Sequence, residues 1–181
     1  MKPLTEIAHD LIREFVHPGD IVIDATVGNG HDTLFLADCV GPHGQVFGFD
    51  IQQSAIDSAT ELLTDHPNVT LDLVSHAEMA VRIPKKCLGQ VKACMFNLGY
   101  LPGSDKSLTT CEQTTIAGLE AAIELLRSGG ICTILAYVGH PGGLEEANKV
   151  EQFLSALSNI NFHQRPADSP TAPRLMWLQK H

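Results

Sequence analysis

Asn97-Leu98-Gly99-Tyr100-Leu101-Pro102 brings together the residue types needed to hold an amine beside a flat ring. The stretch follows an apolar run, Val91 to Phe96, that reads as a buried strand. It therefore falls at a strand's carboxyl end, where open α/β sheets bind ligands. A side-chain amide and nearby backbone carbonyls accept the hydrogens of an amine, and an aromatic face holds a planar ring. Asn97 and Leu98 are the candidate acceptors and Tyr100 the candidate stacking residue, with Gly99 turning the backbone between them.

A second group with chemical potential is Asp24-Ala25-Thr26-Val27-Gly28-Asn29-Gly30, just after an earlier apolar run. Gly28 and Gly30 let the backbone approach a ligand closely. Asp50 follows twenty residues beyond Gly30, at the end of the next apolar run. A carboxylate there can accept both hydroxyls of a ribose. The same arrangement would serve NAD, but a dinucleotide loop carries Gly-x-Gly-x-x-Gly, and Thr26 stands where an early Gly belongs. Asp50 could instead cap a helix, and Asp32 is either the N-cap of the helix after the loop or a ligand residue. Ser75 and His76 end a third run and could offer a donor and an acceptor to a nucleobase edge, with a capping Ser as the alternative.

These groups depend on an alternation of helical and extended patterns, which predicts a parallel sheet with helices on both faces. Helical spacing covers Leu4 to Val16, about Asp32 to Cys39, Ser54 to Thr64, Ala77 to Arg82, Thr114 to Leu126 and Leu144 to Leu157. Strands are expected at Ile21–Asp24, Gln45–Asp50, Val69–Val74, Val91–Asn97 and Ile131–Val138, with two more at Asn161–Arg165 and Leu175–Gln179. Arg127-Ser128-Gly129-Gly130 is expected to stop the fifth helix. Thr109, Thr110 and Thr114 are cap candidates at its start.

At 181 residues and 44% hydrophobic content, the chain 1–181 is expected to form one domain with a real core. No apolar run approaches a membrane span, and the polar start Met1-Lys2-Pro3-Leu4-Thr5-Glu6 does not match a signal peptide. A cytoplasmic location is the expectation. The five scattered cysteines form no Cys-x-x-Cys pair, and the nine histidines form no His-Glu-x-x-His motif, so no metal is expected. A net charge of −9 argues against a surface coated in nonspecific nucleic-acid contacts, although a local basic patch is compatible with it.

Taken together, these motifs resemble the class I S-adenosylmethionine-dependent methyltransferases. Asp24 to Thr33, Phe49-Asp50-Ile51-Gln52, Ser75-His76, Asn97 to Lys106 and Gly139-His140-Pro141-Gly142-Gly143 resemble more closely the bacterial family labelled rRNA methylases. The resemblance implies a Rossmann-like fold with a seven-stranded, mostly parallel sheet, and S-adenosylmethionine as cofactor. It implies cofactor contacts at Asp24, Gly28, Asn29, Gly30, Asp32, Asp50, Gln52, Ser75 and His76. Gram-positive members are associated with methylation of the aminomethyl group of 5-aminomethyl-2-thiouridine at the tRNA wobble position. Leu98-Gly99 replaces the two prolines of the common Asn/Asp-Pro-Pro-Tyr/Phe motif, and His76 stands where many class I enzymes keep an Asp.

On this basis Asn97 Oδ1 and the Leu98 carbonyl would aim an amine at the methyl carbon, with Tyr100 packing on the nucleobase or closing the pocket. Gly99, Asp105, Lys106 and His140 would meet the substrate, His140 as a proton acceptor or RNA contact. A tRNA anticodon region is the expected partner, rRNA the alternative, and a homodimer is compatible with so small a domain. An NAD-dependent oxidoreductase and a non-catalytic nucleoside-binding module are the readings from other classes.

Overall fold

Strands of a parallel sheet covered on both faces must carry apolar side chains on both sides, and those of this chain do. The computed structural model describes residues 2–99, 110–169 and 171–181. In chain order the elements begin with α1 (Leu4–Phe15), β1 (Ile21–Asp24), α2 (His31–Val40), β2 (Gln45–Asp50), α3 (Gln53–Leu62) and β3 (Val69–Leu73). A short 3₁₀ turn (His76–Glu78) then leads into α4 (Met79–Arg82), β4 (Val91–Leu98) and α5 (Glu112–Leu125). The remainder is β5 (Leu126–Ala136), α6 (Gly143–Ser155), β6 (Ile160–Gln164) and β7 (Arg174–Lys180).

Among the described residues seven strands form one sheet in the order β3-β2-β1-β4-β5-β7-β6. The pairings from β3 across to β5 are parallel, whereas β7 runs antiparallel to both β5 and β6. This is the expected mostly parallel, Rossmann-like architecture. Side chains alternate between the two faces along each strand. Val22, Val46, Ala93 and Met95 pack with Ala8 and Ile12 of α1 and with Leu36 and Val40 of α2. Ile23, Phe47, Cys94 and Phe96 pack on the opposite side with Met79, Leu119, Val150 and Leu154 of the later helices.

Two of the boundaries that differ from expectation change the role of a residue. The fifth helix ends at Leu125 without help from glycine, because Leu126 is already extended (φ −62°, ψ 137°) and pairs with Val91. Gly129 and Gly130 sit inside β5, where the register slips between Val91 and Ala93 and Gly129 adopts φ +72°. A bulge explains these glycines better than a helix stop does. The N-cap of α2 is Gly30, not Asp32, which lies inside the first turn.

Gly30 occupies the left-handed region (φ +83°), and a Cβ there would lie 2.9 Å from the Ala59 Cβ and 3.0 Å from its Cα. The loop after β1 can enter α2 only by passing that close to α3. Gly30→Ala is therefore expected to lose about 1–3 kcal/mol of stability, read by urea denaturation; an unchanged midpoint would overturn this account.

Candidate active site

Strand order reverses between β1 and β4, so the connections leaving them diverge and open a crevice at their carboxyl ends. The residues after β1 are tied to both neighbouring strands. Ala25 N–H donates to the Met95 carbonyl at 2.9 Å, and Val27 N–H to the Phe49 carbonyl at 3.1 Å. Gly28 N–H donates to Asp50 Oδ2 and Gln52 N–H to Asp50 Oδ1, each at 2.9 Å. On the β4 side, Asn97 N–H donates to Thr26 Oγ1 at 2.7 Å. Gly99 N–H donates to Thr110 Oγ1 at 2.9 Å, and the Thr110 hydroxyl donates onward to the buried Glu146.

The crevice is a cavity of about 650 Å³. Its lining includes Thr26, Gly28, Asp32, Asp50, Asn97 and Leu98, together with Thr5, Ile51, Tyr137 and His140. Asn97 Nδ2 donates to Asp32 Oδ2 at 2.5 Å, which among the described residues leaves the amide oxygen as the end open to an incoming donor. The other Asp32 oxygen, Oδ1, lies 2.6 Å from His9 Nε2. Burial pushes the Asp32 carboxyl up, but the hydrogen bonds from His9 and Asn97 and the nearby His9 and His31 outweigh it and hold it below its ordinary value. Asp32 is thus an ionised, acceptor-only group facing the cavity. Burial lowers His76, partly offset by the Ala25 and Thr114 carbonyls, so its imidazole is kept neutral.

The structure brings Gly28, Asn29, Asp32, Asp50, Gln52, His76, Asn97, Leu98, Gly99 and His140 to this one cavity. Asp24, Gly30 and Ser75 do not line it. Asp24 is fully buried, accepting from the Thr33 hydroxyl at 2.6 Å and Thr26 N–H at 3.1 Å, and so braces the loop from behind. Ser75 Oγ accepts from Ala77 N–H at 3.2 Å, the capping alternative for this residue. The Leu98 carbonyl already accepts from Tyr137 N–H at 2.9 Å, continuing the β4–β5 ladder. Of the cap candidates, Thr110 binds Gly99 and Glu146, and Thr114 Oγ1 donates to the Cys111 carbonyl, so neither caps α5. Tyr100, Asp105, Lys106 and Thr109 lie outside the described residues.

Residues not anticipated are His9, Thr26 and Tyr137. Tyr137 follows the last residue of β5, whereas the expected strand runs on to Val138 and so places Tyr137 inside it. Its side chain is 42% exposed. A Cβ at Gly99 would sit 3.3 Å from the Tyr137 Cβ, so the glycine makes room for the ring at the cavity edge.

The fold and the crevice define a Rossmann-like class I methyltransferase. The family model described as "Putative rRNA methylase" matches residues 46–176, and the chain belongs to that family. It is 41% identical, over 99% of its length and 70% of the relative's, to the chloroplastic tRNA (mnm5s2U34)-methyltransferase of Arabidopsis thaliana. Among solved structures it resembles a putative rRNA methylase from Clostridium thermocellum, with TM-score 0.94, 43% identity, and coverage of 100% of this chain and 99% of that one. A putative methyltransferase from Streptococcus mutans, in complex with SAH, aligns with TM-score 0.88 and 30% identity over the same shares of the two chains. Family membership sets the NAD-dependent oxidoreductase reading aside.

Asp24 carries a consequence for stability. Burial raises its pKa to about 7, aided by repulsion from Asp32 and Asp50 and opposed by the hydrogen bonds from Thr33 and Thr26. The folded state therefore keeps a proton that the unfolded chain releases near its ordinary value of 3.8. The contribution is fully present below that value and is lost as pH rises through about 7. Denaturant titrations at several pH values across this window should show the wild type losing stability with rising pH more steeply than Asp24→Asn. Equal slopes would exclude the protonated carboxyl.

Proposed function

We propose that this chain is an S-adenosylmethionine-dependent RNA methyltransferase that methylates the amine of 5-aminomethyl-2-thiouridine at the wobble position of tRNA. The observation that carries the proposal is the Asn97 amide, whose nitrogen is committed to Asp32 while its oxygen stays available at a strand-end cavity. The 41% identity to a tRNA (mnm5s2U34)-methyltransferase supports the choice of nucleoside. Methylation of an rRNA base amine is the second reading, favoured by the description of the family. In this reading 1–181 acts as one catalytic domain that docks the anticodon region, and a homodimer is compatible with so small a domain.

The cavity fits the cofactor on its own chemistry. Two carboxylates, Asp32 and Asp50, face it, and a cationic sulfonium is at home in such a field. Each Asp50 oxygen accepts one backbone N–H and keeps a second lone pair for a ribose hydroxyl. Gly28, Asn29 and Gln52 line the same wall, and the half-exposed Ile51 offers an apolar face beside it. When bound, S-adenosylmethionine supplies an electrophilic methyl group. Asn97 Oδ1 would accept an N–H of the neutral amine and so orient its lone pair for attack, a positioning role of the kind that dominates such transfers. The Leu98 carbonyl has one lone pair left after bonding Tyr137 N–H and is the weaker acceptor. Tyr137 would offer the nucleobase an aromatic face, and His140, in the same lining, is the candidate acceptor for the departing proton.

Incubation with labelled S-adenosylmethionine and tRNA bearing the aminomethyl group should give label in the wobble nucleoside, identified by mass spectrometry; label confined to rRNA would favour the second reading. Asn97→Ala is expected to reduce turnover by about a hundredfold while S-adenosylhomocysteine affinity stays nearly constant. Asp50→Ala should instead weaken that affinity at least tenfold by calorimetry, and unchanged binding would remove it from the ribose site.

A further inference from the structure

Asn97 belongs to β4, but the groups that orient its side chain come from two helices distant in sequence. Asp32 Oδ2 holds Asn97 Nδ2 from the first turn of α2, and His9 Nε2 reaches Asp32 Oδ1 from α1. The His9 ring lies flat on Phe35, one turn beyond Asp32, with centroids 3.8 Å apart and planes 7° apart. The stack fixes the imidazole against rotation, so Nε2 has one direction in which to donate. Arg13 of α1 adds a cation over the same Phe35 ring at 4.8 Å. The contacts clamp α1 to α2 at the edge of the cavity. The Asn97 main chain is held separately by Thr26.

Resting on the role given above to Asn97, we propose that His9 is a positioning residue for methyl transfer: through Asp32 it fixes the Asn97 amide with Oδ1 turned to the amine. An ionised carboxylate accepts hydrogen bonds and donates none, so only the Nδ2 end of the amide can face Asp32. Without a donor at His9, the Asp32 side chain can swing away from Asn97, and an amide that has lost its acceptor-only partner loses its single orientation. The reacting amine would then meet an oxygen in some molecules and an NH₂ group in others. His31 on the same helix, Asp24 behind it and Tyr137 across the cavity are the other ionisable groups whose charges act on or near Asp32; none of them makes a hydrogen bond to it among the described residues.

The test compares wild type, His9→Ala, His9→Gln and Asp32→Asn. Gln keeps an N–H donor at similar reach without an imidazole, whereas Asn at position 32 can present either a donor or an acceptor to Asn97. With aminomethyl tRNA, His9→Ala is expected to lower kcat by about ten- to a hundredfold, with KM for the RNA and calorimetric affinity for S-adenosylhomocysteine within twofold of wild type. His9→Gln should recover most of the loss. Independently of turnover, the Asn97 side-chain amide protons of ¹⁵N-labelled protein should shift in His9→Ala and Asp32→Asn and return toward the wild-type position in His9→Gln. An Asn97 amide signal that ignores both His9→Ala and Asp32→Asn overturns the proposal. So does a kcat that falls equally in His9→Ala and His9→Gln, or falls only together with S-adenosylhomocysteine affinity, which marks a purely structural role. A wild type that leaves aminomethyl tRNA unmethylated refutes the substrate assignment instead, and the amide signal still decides the role of His9.

Discussion

Where β1 and β4 part, the ladder between them ends, and the backbone groups at their carboxyl ends must find other partners. A buried donor left unpaired costs about 1–3 kcal/mol, so the constraint is strict. The chain meets it with a few bonds that also shape the crevice. Ala25 and Val27 lean outward to β4 and β2, and the Thr26 hydroxyl accepts from the Asn97 backbone N–H. Asp50 gathers two backbone N–H groups from different loops. Satisfying the backbone at the divergence and forming the pocket are therefore one structural problem with one solution.

Three aspartates crowd this small region, and each meets the electrostatic cost differently. Asp24, enclosed on all sides, is driven toward its protonated form. Asp32 remains charged because His9 and Asn97 both donate to it. Asp50 spreads its charge over backbone N–H groups at the cavity wall. The result is a pocket lined by Asp32 and Asp50, whose field favours a cation, while Asp24 behind it contributes little charge below about pH 7.

Most of the sheet was legible because alternating apolar runs and turn residues announce buried parallel strands. Asn97, Gly28 and Asp50 were legible for a related reason: each stands at a predicted strand end, and topology sends strand ends to the same edge. Asp24 had the right position but the wrong direction. Its side chain turns inward to Thr33, and the alternation of a four-residue strand does not by itself show which face meets a ligand and which meets a helix. The glycine pair at 129–130 reads in sequence as a helix stop because a bulge and a helix stop ask for the same residue. His9 carried no local signal at all. Its role arises from how α1 lies over α2, a docking that helical periodicity does not specify.

The antiparallel strand β7 has a temporal meaning as well as a geometric one. It lies between β5 and β6, and β6 pairs with no other strand among the described residues. Until Arg174–Lys180 has been synthesised, β5 presents a bare edge and β6 has nothing to join. A nascent chain can assemble the β3-β2-β1-β4-β5 half early, but its sheet is sealed last from the carboxyl side. Until then that edge can recruit a strand from another copy of the chain, so the interval before β7 arrives is when newly made molecules are most exposed to aggregation.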